Sequence, residues 1–411
     1  CIYAHSNSPK NEVEKIIRIF EATGAILCKR GLFGQGLFCF QKASNLKKQH
    51  FSENAFDTAS SLNSFGYVSF LKGDYPEALN LYKNALEIME NEIDRVKNQT
   101  LMLDETEDER MLEQLSETYH FLGVLYSTLG NYVEACKHLD EAMRIRIQLF
   151  SENHHQVAET YAAISKLNVL RCYYPEALNF IQRALAIRVG VFGELHPKTL
   201  ATYSDIGLIS VKMSNYDGVA ERLELALEKI YAETHPETAR LYYAQGMIYK
   251  VQGDFKKSQE SHLKGLGIRR KIYGELHECI GESYHEIANT FLLQGKYKEA
   301  EEYCLKFQEV AMKIFGKEHP LTALADVNVK AAYVYLNRQE LEDESNERTP
   351  KLFEELDQII NTQRDFLGED HIDVCLSLVI TGNAYRYTKK YIEGIKCYQR
   401  ALDIAYNKQD F

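Results

Sequence analysis

A chain of 411 residues has room for two or three globular domains or for one long repeat array. With 48 Lys and Arg against 59 Asp and Glu the net charge is -11, which argues against a general nucleic-acid binder, because that role needs a surplus of cations on one face. No stretch supplies the about 18 uninterrupted apolar residues of a membrane span; the nearest, Gly24 to Phe40, is broken by Lys29 and Arg30.

The composition leans helical, with only 7 Pro and plentiful Ala, Leu, Glu and Lys. There are 27 Tyr and no Trp, so one kind of aromatic recurs at a repeated position. The chain opens on Cys1 without a signal-peptide pattern and reads as a fragment with residues upstream. Its 9 Cys are odd in number, scattered and free of any C-x-x-C pair, unlike a disulfide framework or a zinc module. Reduced cysteines used as small apolar residues in a cytosolic protein are the expectation.

In chain order, the apolar periodicity predicts helix pairs from about residue 10 to residue 408. The first pair is atypical, with Phe33-Gly-Gln-Gly36 at its turn, and fits an end unit. The second centres on Tyr75 and is followed by an acidic insertion, residues 96–110, expected as a solvated loop. In the third, Tyr119, Leu122, Gly123 and Tyr126 fall on one helical face, Gly130-Asn131 breaks the run, and Tyr132, Ala135, Leu139 and Ala142 resume it. Gly123 and Ala135 leave room for the two helices to cross closely, as do Gly66 with Ala78, Gly246 with Ser258 and Ala288 with Ala300. Later pairs centre on residues 174, 216, 255, 297 and 391. A degenerate pair near residue 340 is split by an acidic loop, residues 339–350.

Two independent markers share one period. Tyr or Phe stands at 33, 75, 132, 174, 216, 255 and 297, mostly 42 residues apart, and His stands at 154, 196, 235, 277, 319 and 371 with the same dominant spacing. The expected fold is all-α: a right-handed superhelical solenoid of about nine helix-turn-helix repeats. Whole phrases then carry a resemblance. Phe121-Leu-Gly-Val-Leu-Tyr126, Gly130-Asn-Tyr-Val-Glu-Ala135 and Asp140-Glu-Ala-Met-Arg-Ile145 resemble the tetratricopeptide repeat. Phe192-Gly-Glu-Leu-His-Pro197 and the 42-residue period resemble the variety found in kinesin light chains and nephrocystin-3-like proteins.

The histidine ladder cannot gather on one metal ion, because equivalent positions lie about a helix layer, near 10 Å, apart and zinc ligands must converge to about 2 Å. His with Pro is expected to close one pair and open the next. Phosphate-loop, zinc-protease and nucleophile-elbow motifs are missing from the sequence, and Gly31, Gly34 and Gly36 have no strand before them. No catalytic residue, cofactor or metal is expected. Arg146, Arg188 and Arg269 follow apolar residues of the second helices and are expected as exposed, solubilising charge, with ion pairing to the Glu-rich neighbouring turn as the alternative.

The resemblance implies that partners lie in a groove lined by the first helix of each pair. Counting Gly123 as the eighth position puts Asn63, Tyr67, His120, Lys166, Arg240, Tyr243, Met247, Lys250, His285, Asn289, Asn383 and Arg386 on that face. Kinesin light chains carry paired Asn at the fifth and sixth positions; here Ala162-Ala163, Ser204-Asp205, Tyr243-Ala244 and His285-Glu286 stand instead, with Asn63 alone at the fifth. The expectation is a scaffold for protein or peptide partners in a larger cytoplasmic, cytoskeletal or ciliary assembly, without nucleic acid or membrane. The alternative is a regulatory or partner-sensing module of a protein whose catalytic or nucleotide-switch domain lies upstream.

Overall fold

Helix formers fill each predicted run and Gly, Asn or Pro punctuates its ends, so the backbone closes its hydrogen bonds locally and leaves one apolar face per helix to be buried. The structure is a computed structural model and describes residues 9–29, 32–50, 55–98, 105–216, 218–229, 235–343, 346–369 and 371–407. Among these residues there are nineteen helices and no strand. They are α1 (Pro9–Lys29), α2 (Phe33–His50), α3 (Ala55–Lys72), α4 (Tyr75–Asn98), α5 (Glu105–Thr128), α6 (Tyr132–Phe150), α7 (His155–Leu170), α8 (Tyr174–Phe192), α9 (Pro197–Lys212), α10 (Val219–Lys229), α11 (Pro236–Val251), α12 (Phe255–Tyr273), α13 (Glu278–Leu293), α14 (Tyr297–Phe315), α15 (Pro320–Leu336), the short α16 (Arg338–Leu341), α17 (Arg348–Leu367), α18 (Ile372–Tyr387) and α19 (Tyr391–Asn407). Apart from α16 they form nine pairs, each with a first helix A and a second helix B. The chain divides into two compact units, Cys1–Ala163 and Ile164–Phe411, with the boundary inside α7. No helix of the described residues is long and apolar enough to cross a membrane.

The recurring aromatic is the first residue of helix B at Phe33, Tyr75, Tyr132, Tyr174, Phe255, Tyr297 and Tyr391. Before it, Gly73, Gly130, Gly253 and Gly295 take the left-handed backbone that turns A into B. The close crossing is set sixteen residues on from the small residue, not twelve. A Cβ on Gly123 would stand 2.6 Å from Leu139 Cγ; on Gly66, 2.6 Å from the Tyr82 ring; on Gly246, 2.6 Å from the His262 ring.

The histidines hold the junction from B to the next A. Nδ1 of His196, His235, His277, His319 and His371 accepts the backbone N–H two residues on, at 3.1–3.2 Å, as a helix N-cap. The rings of His154, His196, His277 and His319 also stack on the aromatic four residues back, with centroids 4.1–4.4 Å apart.

Arg146, Arg188 and Arg269 overturn the expectation of exposed charge: they are 3%, 8% and 4% exposed. From helix B each reaches into the next helix A in one pattern. Arg146 donates to the Gln156 carbonyl at 3.0 Å and the Thr160 hydroxyl at 2.8 Å. Arg188 donates to the Lys198 carbonyl at 3.2 Å and Thr202 at 2.6 Å. Arg269 donates to the Cys279 carbonyl at 2.6 Å and Ser283 at 2.8 Å. A guanidinium nitrogen carries two N–H donors and can reach a carbonyl and a hydroxyl at once, so it clasps neighbouring repeats.

The two acidic insertions are more ordered than free loops. Helix α4 continues to Asn98 and α5 already runs from Glu105, while residues 99–104 lie outside the described residues. In the second, α16 buries Leu341 to 3% exposure and the Thr349 hydroxyl donates back to its carbonyl at 3.3 Å; residues 344 and 345 lie outside the described residues. Gly34 and Gly36 fall within α2, and Gly31 lies outside the described residues.

Candidate functional site

In the first unit the A helices α1, α3, α5 and α7 turn polar side chains toward a cleft of about 460 Å³. Glu113, Gln114 and Glu117 come from α5, Gln156 and Glu159 from α7, Glu21 from α1 and Arg146 from α6. Part of this charge is spent at once: Lys47 pairs with Glu21 at 2.7 Å and Arg110 with Asp57 at 3.4 Å. Gln156 donates to Glu113 at 2.7 Å. Glu117 is open to solvent, yet the cleft walls thin the water around it and push its carboxyl up to about 7; Arg146 works against this, while Glu21, Glu113 and Glu159 add to it. Beside it, His120 is driven down to about 3 by burial and the Arg146 guanidinium.

In the second unit Tyr243 of α11, Glu278, Gly281, Glu282 and His285 of α13, Phe307, Val310, Ala311 and Phe315 of α14, and Leu321 and Leu324 of α15 frame a smaller slot of about 100 Å³. The Arg269 guanidinium lies 5.2 Å over the Tyr243 ring and 3.4 Å from Glu282. Burial and the neighbouring Glu282 push Glu278 up to about 7, and Lys166 offsets them in part. Lower down, Lys250 and Glu286 form a 2.5 Å ion pair. Burial alone would raise Glu286, but Lys250 outweighs it and holds the carboxyl at about 2.

The twelve residues expected on the groove face have different fates. Asn63 is 3% exposed and donates to Thr118 at 2.7 Å, inside the first unit's core. Tyr67 packs on Phe121, and His120 lies 3.4 Å from Arg146. Lys166 and Arg386 are exposed, and Met247 is half-buried. Arg240 is bound to Asp205 at 2.7 Å and Glu237 at 3.2 Å, and Lys250 to Glu286. Asn289 and His285 meet at 3.0 Å, and Asn383 accepts from Tyr398 at 2.7 Å. Only Tyr243 and His285 line the slot, and none of the twelve lines the cleft. Sequence reasoning passed over Glu113 and Glu278, which lie ten residues before Gly123 and Ala288; counting one more helical turn back along each A helix would have found both. Among the described residues no group of three or more His, Cys, Asp or Glu is placed to hold a metal ion.

Tetratricopeptide repeat profiles match residues 58–92, 114–188, 237–305 and 377–408, together just over half of the chain. The chain belongs to the tetratricopeptide repeat family. Tetratricopeptide arrays are protein-interaction scaffolds, and this one keeps the 42-residue spacing from Tyr132 to Tyr174 and from Phe255 to Tyr297. A Rap protein complexed with Competence and Sporulation Factor is similar in structure, at a TM-score of 0.61 and 14% identity, over 96% of this chain and 99% of that one. Aspartyl phosphate phosphatase F from Bacillus subtilis has a TM-score of 0.54 at 14% identity, covering 97% and 94%. The apo form of RapI has a TM-score of 0.51 at 16% identity, covering 71% and 98%. At such identities the likeness is one of fold. None of the curated proteins compared matches the chain.

Proposed function

We propose that this tetratricopeptide array is a scaffold that holds protein or peptide partners on its A-helix faces, within a larger cytoplasmic, cytoskeletal or ciliary assembly. The observation that carries the reading is the cleft of about 460 Å³ on α1, α3, α5 and α7. Its charged lining is costly to desolvate without a partner, so it is ill suited to a packed core and well suited to an exchangeable ligand. The eight described cysteines form no disulfide, which fits a reducing, cytoplasmic setting. Resemblance to kinesin light chain and nephrocystin-3-like repeats supports the cytoskeletal or ciliary part.

The test compares proteins recovered from cell extract by the wild-type chain and by a Glu117→Ala, Lys166→Ala, Tyr243→Ala variant whose helicity is first checked by circular dichroism. Selective loss of the recovered partners is expected. An unchanged partner set would sink the A-helix reading.

A further inference from the structure

We propose that the slot on α13 takes a partner segment in which one aliphatic side chain is flanked by arginines or lysines. The proposal rests on the reading that partners bind the A-helix faces, and it assigns the chemistry of one of them. The floor is apolar, built from Phe307, Val310, Leu321 and Leu324, and about 100 Å³ accommodates a single aliphatic side chain. Glu278 and Glu282 stand on the rim one helical turn apart, both exposed to solvent.

Lys166 acts on Glu278 at a distance, and the other cations nearby are already engaged. Arg240 is held by Asp205 and Glu237, and Lys250 by Glu286. Arg269 lies 3.4 Å from Glu282 but makes its shorter bonds to the Cys279 carbonyl and Ser283. Among the described residues Glu278 has no ion-pair partner; its carboxyl is raised first by desolvation and then by Glu282. Two like charges one turn apart repel unless a cation sits between them, so the rim is completed by a guanidinium or ammonium from outside. The first unit repeats the device: Glu113 and Glu117 on α5 hold the positions that Glu278 and Glu282 hold on α13.

The full chain is titrated by fluorescence anisotropy against a labelled peptide, Gly-Arg-Arg-Leu-Arg-Arg-Gly. Saturable binding is expected, weakening about tenfold when the peptide leucine becomes alanine, from the loss of buried aliphatic area. Glu278→Gln with Glu282→Gln is expected to weaken it roughly fivefold and to flatten its salt dependence. Equal affinity for the leucine and alanine peptides overturns the slot, and so does saturable binding that is absent below about 1 mM. A peptide with glutamates in place of arginines separates the two claims. If it binds as well or better, the basic-partner inference falls while the A-helix scaffold reading stands.

Discussion

Replacing Arg188 by Lys keeps the charge and removes the fork, and so separates a clasp between repeats from a surface charge. Arg188 is 8% exposed, and one of its nitrogens bonds both the Lys198 carbonyl at 3.2 Å and the Thr202 hydroxyl at 2.6 Å. Hydrogen bonds from a charged donor contribute about 1.5–3 kcal/mol each. A lysine ammonium reaches less far, so its nitrogen falls short of the point from which Nη1 meets both acceptors, and at least one bond is lost while a charge stays buried. Thr202 still donates to Lys198 at 2.8 Å, so the acceptors are not stranded, which keeps the cost near the lower end. The expected loss is about 2 kcal/mol for Arg188→Lys, or about 4–8 °C in melting temperature. Arg188→Met removes the charge with the bonds and is expected to cost no more than Lys, because the desolvation cost disappears too. Thermal unfolding followed by circular dichroism gives the magnitude. Because repeat arrays can unfold in parts, amide exchange at residues 197–202 supplies the local readout. An exposed charge predicts a change within about 0.5 kcal/mol for Lys. Wild-type stability together with unchanged exchange at the start of α9 would refute the clasp.

The same substitution should have opposite signs at two glycines. Gly123→Ala drives a Cβ to 2.6 Å from Leu139 and is expected to cost about 1–3 kcal/mol in chemical denaturation, whereas Gly190→Ala, with open space around it inside α8, should stabilise by about 0.5–1 kcal/mol. Burial lowers His319 from 6.5 to about 4, so below pH 6.5 the unfolded chain takes up a proton that the folded chain refuses, and stability falls with pH until about 4. His319→Asn keeps a capping side chain without the titration and should flatten that slope by up to about 1.4 kcal/mol per pH unit, seen in urea midpoints; an unchanged slope rejects the assignment. Lys250→Met leaves Glu286 buried and uncompensated and should cost about 3–5 kcal/mol, most of it recovered by adding Glu286→Leu; a double variant as unstable as the single one would contradict the pairing.

The repeat was legible because its markers are local. An aromatic that starts helix B, a glycine at the turn and a histidine cap each act within a few residues, so a period of 42 in the sequence becomes a period in space. The clasp arginines were misread because their partners lie ten and fourteen residues downstream, across a turn, and an arginine after an apolar run looks the same whether it faces water or the next helix. Position counting put the expected groove on the A helices, which supply most of the cleft lining and share the slot with α14. It could not tell which side chains on that face are consumed by neighbours: Asn63 is taken up by Thr118, Arg240 by Asp205 and Glu237, and Asn383 by Tyr398. Apart from Arg240 with Glu237 on one helix, those pairings span 15 to 55 residues, beyond what one helix's periodicity reports.

This division has a consequence for how the array can acquire partners. Stability is concentrated in A-helix glycines with no room for a Cβ, in the histidines that cap the A helices and in the buried arginines of helix B. Glu117, Lys166 and Glu278 on the A helices are exposed, and the exposed Glu282 touches that frame through Arg269 at 3.4 Å. Exposed substitutions away from such structural features usually change stability by less than about 0.5 kcal/mol, whereas a changed rim charge alters which partners bind and how fast they arrive. Recognition can therefore be rewritten at exposed A-helix positions such as Lys166 and Glu278 without touching the fold. An acid pair stands at the same two repeat positions in both units, Glu113 with Glu117 and Glu278 with Glu282, and is where the proposed basic segment would make its contacts.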